Sequence, residues 1–127
     1  MALRSIGGPA GNLLQYTFNV AAAWVATVAV GDNCALDTGA NLTVKDTVDN
    51  NVILGRIVAL SPDSTEAVVE IYCYSAVREF TTDAALAVGA DINTKGAGSN
   101  VVEDATVATD TLCIYDPGGA GTALVLV

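Results

Sequence analysis

The chain has no histidine, one methionine, one tryptophan and five cationic side chains in 127 residues. Each scarcity removes a class of activity. Without histidine there is no imidazole to shuttle protons or to serve as the base of a Ser-His-Asp triad, and the commonest zinc ligand is missing. The three cysteines, Cys34, Cys73 and Cys113, are odd in number, widely spaced and never in a C-x-x-C pair. That pattern supports neither a metal centre nor a disulfide framework. Each lies in an apolar run, so reduced thiols buried in strands, in a chain made in a cytoplasm, are the expectation.

Positive charge is scarcer still. Arg4, Lys45, Arg56, Arg78 and Lys95 stand against 14 acids, for a formal charge of −9. Binding to a nucleic-acid backbone needs clustered cations, and so does docking on anionic lipid. No nucleic acid and no membrane are expected as partners. Charged residues of both signs make up 15% of the chain, against about a quarter in an ordinary domain. So few charges on a small domain point to surface hidden in an assembly.

What is present favours strands. Val, Ala, Thr and Gly dominate, which implies an all-β chain, a small β-barrel or sandwich. The length suits one β domain over 1–127. Leu13 to Val30 is long and mostly apolar, but Gln15, Thr17 and Asn19 alternate with Tyr16, Phe18 and Val20. A period of two describes a half-buried strand and not a membrane span. Gly7-Gly8-Pro9 interrupts the stretch where a signal peptide needs a continuous apolar run, so no targeting signal is expected. Residues 1–12 read as a flexible, extended N-terminal arm.

The sequence also says the same thing twice. Val28-Ala29-Val30-Gly31-Asp32 is echoed 58 positions on by Leu86-Ala87-Val88-Gly89-Ala90. Identities at that offset include Ala29/Ala87, Val30/Val88, Gly31/Gly89, Val44/Val102, Asp46/Asp104 and Leu54/Leu112. A duplicated β unit, 28–73 and 86–127, is the reading. Strands are predicted at Leu14–Val20, Val25–Val30, Cys34–Leu36, Leu42–Asp46, Val52–Leu60, Glu66–Tyr74, Val77–Phe80, Val101–Glu103, Thr111–Tyr115 and Ala123–Val127. Val52–Leu60 with Glu66–Tyr74, and Thr111–Tyr115 with Ala123–Val127, form hairpins, and the last apolar strand must be paired, within the subunit or with a neighbour. Thr81–Leu86 is the one expected helical turn, capped by Thr81 or Thr82.

Candidate sites are thin. Asp32, Asp37, Asp49, Asp63 and Asp116 fall in turns, where the carboxylate bonds its own backbone. Asp46, Asp49, Asn50 and Asn51 cluster, but their spacing does not match a calcium loop. The glycine stretches at 7–11, 96–98 and 118–121 match no phosphate cradle, and no G-x-S-x-G occurs. Asn41-Leu42-Thr43 fits the glycosylation pattern without a secretory context. Trp24, Tyr72, Tyr74 and Tyr115 read as core or subunit contacts before a sugar platform. No catalytic residue, cofactor or metal is expected, and an acid-pair hydrolase is the least favoured reading.

The stretches Val30-Gly31-Asp32-Asn33, Asn51-Val52-Ile53-Leu54-Gly55-Arg56-Ile57-Val58 and Glu66-Ala67-Val68-Val69-Glu70-Ile71 resemble bacteriophage head-decoration (capsid cement) proteins. The likeness spans Val28 to Tyr72, a V-G-D strand entry followed by an L-G-x-V strand and a Val-rich return. It implies a non-enzymatic, β-rich virion protein on the outer surface of an icosahedral head, trimeric, with the major capsid protein as partner. The family has no catalytic residues to carry over, and the long apolar arm before Trp24 departs from its simplest members. An extended segment, Ser5–Val20, is expected to lie on the shell or add a strand to it, through Ser5, Ile6, Leu13, Leu14, Tyr16 and Phe18. The rival reading is a fibre, tail or surface adhesin module.

Overall fold

A computed structural model describes residues 14–48, 51–73, 76–95, 101–105, 109 and 111–127. Ten strands carry the chain: β1 (Leu14–Val20), β2 (Asn33–Leu36), β3 (Thr43–Asp46), β4 (Gly55–Leu60), β5 (Glu66–Ile71), β6 (Val77–Thr82), β7 (Ile92–Thr94), β8 (Val101–Asp104), β9 (Leu112–Tyr115) and β10 (Gly121–Leu126). The fold is all-β, with no helix among the described residues. The first five strands close a barrel in the order β1-β3-β2-β4-β5, and the last five form a sheet in the order β7-β8-β6-β10-β9.

These orders are the same order. In each unit the first strand runs parallel to the third and antiparallel to the fifth. The fourth and fifth make an antiparallel hairpin with a register irregularity. The second unit is less fully zipped, with β7 and β9 flanked by one bridge, Asp91 to Leu112. The duplication therefore takes in one strand more per copy than the sequence echo shows.

Alternation within the strands builds one core per unit. Phe18, Val28, Cys34, Val44, Ile57, Ala67 and Val69 fill the first. Phe80, Leu86, Ile92, Val102, Cys113, Ala123 and Val125 stand at the matching places in the second. Side chains of this kind contribute about 1.5–3 kcal/mol each when fully buried. The plugs differ. Trp24 completes the first core, whereas Ile53 and Tyr72 leave the first unit to complete the second. Tyr72 meets Phe80 edge-on, their ring centroids 6.3 Å apart. The two units thus share apolar surface.

Several sequence expectations are corrected. Val25–Val30 is not a strand: Ala22–Thr27 turns, and the Val28 amide reaches the Trp24 carbonyl at 2.9 Å. The alanines before Trp24 have little strand preference, and this turn swings the indole into the core. Thr81–Leu86 is not a helical turn. Pairing with Gly121, Thr122, Val101 and Val102 carries β6 through Thr82, after which the chain bends at Asp83 and Ala84. Ile92–Thr94 is a strand that the sequence reading missed, because its three residues are too few to show a period. The Leu54/Leu112 identity is not a structural match: Leu112 bridges Asp91 as Arg56 pairs with Asn33, so a two-residue shift enters before the fourth strand. Cys34 and Cys113 are buried, but Cys73 is exposed, lying just past the end of β5.

Candidate functional site

The strand that was expected to reach outward is largely an internal one. β1 pairs with β5 over six positions, from Leu14 opposite Ile71 to Asn19 opposite Glu66. Leu14–Val20 is thus a barrel stave, and Phe18, 7% exposed, belongs to the core and not to a contact arm. Ser5, Ile6, Leu13 and the arm 1–12 lie outside the described residues.

Among the described residues the other side of β1 is open for most of its length. It meets β3 only at Asn19/Thr43 and Val20/Val44, because the chain turns through Ala40 and Leu42, with Leu42 at a φ of 49°. On that side the Asn19 amide donates to Leu42 O and the Ala21 amide to Val44 O. By alternation, the amides and carbonyls of Gln15 and Thr17 point the same way. They meet no partner strand among the described residues. Leu14 and Tyr16 share the inward face with Phe18, and Tyr16 contacts the Phe18 ring with centroids 5.4 Å apart. Yet they are 64% and 51% exposed, since among the described residues no strand beside them completes the wall. An open edge with apolar side chains beside it is a template for a further strand.

A polar junction lies where the two units meet. Asn33, Arg56 and Glu70 are cross-strand neighbours on β2, β4 and β5. Glu70 is buried, and two guanidinium groups converge on its Oε1: Nη2 of Arg56 at 3.6 Å and Nη2 of Arg78, from β6, in direct contact. Tyr72 lies nearby, its hydroxyl pushed up to about 12 by burial, with the two arginines opposing.

The turn aspartates serve the backbone. Asp32 accepts from the Ala29 amide, Asp37 from Gly39, Asp63 from Thr65 and Asp116 from Gly118. Hydrogen bonds from Thr65 and Ser61 hold the Asp63 carboxyl below its usual range. Burial pushes the Cys34 thiol up to about 12, which makes it a poor nucleophile. Among the described residues no three His, Cys, Asp or Glu side chains gather as a metal site would require. Of the aromatic residues, Trp24 and Tyr72 are buried and Tyr115 is exposed; Tyr74 lies outside the described residues.

Compared with models of known protein families the chain matches none, and no curated protein is significantly similar to it.

Proposed function

We propose that this chain is a structural virion protein that binds the outside of an icosahedral phage head and stabilises its lattice as a trimer. The observation that carries the reading is the open edge of β1 beside Leu14 and Tyr16. A strand contributed by the major capsid protein would satisfy the amides and carbonyls of Gln15 and Thr17. It would also cover the two apolar side chains. Each backbone hydrogen bond adds roughly 0.5–1.5 kcal/mol. Burial of the Leu14 and Tyr16 surface adds about 25 cal/mol per Å². A single contact of this size is weak, and many copies on one lattice turn it into a durable clamp. The resemblance of Val28–Tyr72 to head-decoration proteins supports the same role, as does the small share of charged residues in the chain.

Quantitative mass spectrometry of purified particles from the source tests it. A copy number comparable to the major shell protein is the expected result. A handful of copies would favour a fibre or tail module, and absence would end the virion reading. Tyr16→Asp should abolish shell binding while leaving the fold intact.

A further inference from the structure

The Arg56–Glu70–Arg78 cluster leaves hydrogen-bonding capacity unused. Nδ2 of Asn33 and Nε of Arg78 are buried and meet no acceptor among the described residues. Asn33 as a whole is 2% exposed. Both arginines spend their short contacts on one carboxylate oxygen, so two cations are set against one buried anion. This concentration occurs in a chain with five cations in all. Asn33, Arg56 and Arg78, but not Glu70, line a cleft of about 260 Å³ between the units, together with Gly31, Tyr72 and Thr81. Arg56 and Arg78 remain 35% and 28% exposed at their side chains, so solvent reaches the guanidinium groups through it.

Unused donors on and beside two guanidinium groups suit an acceptor that is itself anionic. We propose that this cleft is a binding site for a carboxylate. The planar guanidinium fork suits the two oxygens of a carboxylate, which it can engage through paired N–H donors. Asn33 supplies a neutral donor alongside. Glu79 on the cleft wall brings the formal charge of the two arginines and two glutamates to zero, although solvent screens its exposed carboxylate more than the buried Glu70. The balance therefore favours a singly charged group over a dianionic phosphate. The space beside Gly31 is open, since a Cβ there would meet nothing within 4 Å. The carboxylate comes either from a small free acid or from an Asp or Glu side chain of a peptide. Neither source depends on the virion role, because the site lies within one chain.

The test is an NMR titration of the intact protein, following the arginine Nε–Hε and asparagine side-chain amide resonances. The probes are sodium acetate, the blocked peptide acetyl-Gly-Glu-Gly-amide, and acetamide and inorganic phosphate as controls. Saturable shifts of the Arg78 Nε–Hε and Asn33 Nδ2 signals are expected with an affinity of roughly millimolar. Saturation by acetate as well as peptide assigns the site to carboxylates in general; saturation by the peptide alone assigns it to acidic side chains. Arg56→Gln removes only the longer ion pair and should weaken binding about ten-fold. The proposal is overturned by any of three results: no saturation below about 50 mM probe, equal shifts with acetamide, or unchanged affinity in the folded Arg56→Gln variant.

Discussion

Gly31 and Gly89 occupy the same place in the two units and share a conformation, with φ of 99° and 86°. The Gly31 amide donates to Ile57 O at 2.8 Å, and the Gly89 amide to Cys113 O at 2.7 Å. Each thereby ties the loop before the second strand to a core residue of the fourth. The glycine identity noted in the sequence is thus a conformational requirement, met twice.

Replacing either glycine with alanine isolates that requirement, because a Cβ at Gly31 or Gly89 meets nothing within 4 Å. Each substitution should cost about 1–2 kcal/mol, the penalty for a left-handed L-residue. Gly55→Ala should cost about 3 kcal/mol or more, since its Cβ would run into the backbone carbonyl of Glu70. Urea denaturation of the three variants would order them.

Tyr16 and Phe18 sit on one face of β1 but should respond differently. Phe18→Ala opens a cavity in a filled core and should cost about 3–5 kcal/mol. Tyr16→Ala removes a half-exposed ring and should cost about 1 kcal/mol or less. If Tyr16 is the costlier of the two in thermal unfolding, the wall of the barrel is complete at that point.

Glu70→Gln leaves both guanidinium groups without their buried carboxylate. A loss of about 2 kcal/mol is expected, less than for a fully buried pair because both arginines reach solvent. Adding Arg78→Met should recover part of it. A double variant less stable than the sum of the singles would contradict the ion cluster as the cause.

Stability should fall as the solution is made alkaline. In the folded chain Cys34 keeps its proton up to about 12, whereas an ordinary thiol loses it near 9.0. Between those values the unfolded state binds fewer protons, so rising pH favours unfolding. Tyr72, raised from 10.0 to about 12, acts in the same direction. The slope approaches about 1.4 kcal/mol per pH unit for each such group. Cys34→Ala should flatten the pH dependence just above 9.0, whatever its effect on absolute stability.

Much of the fold is legible in local pattern. The alternation in Leu14–Val20 marked β1 to the residue, and both hairpins follow from an apolar strand, a turn and a second apolar strand. Local pattern fails where function within the fold overrides it. Trp24 lies in a run that reads as a strand, yet it turns because the first core needs a plug there. Of the contact residues expected from the sequence, Leu14 and Tyr16 are exposed while Phe18 is buried. The polar junction left no trace in the sequence at all. Arg56, Glu70 and Arg78 belong to no motif, and strand order alone gathers them.

The sequence by itself determined an all-β chain, the turns of its two hairpins and its doubled unit. Those follow from side-chain alternation and turn chemistry, which act over a few residues. Only the tertiary structure decided which apolar side chains of β1 stay in solvent and which charges meet. Alternation assigns a side chain to a face of a strand; whether a neighbouring strand continues far enough to cover that face depends on where distant segments of chain turn away.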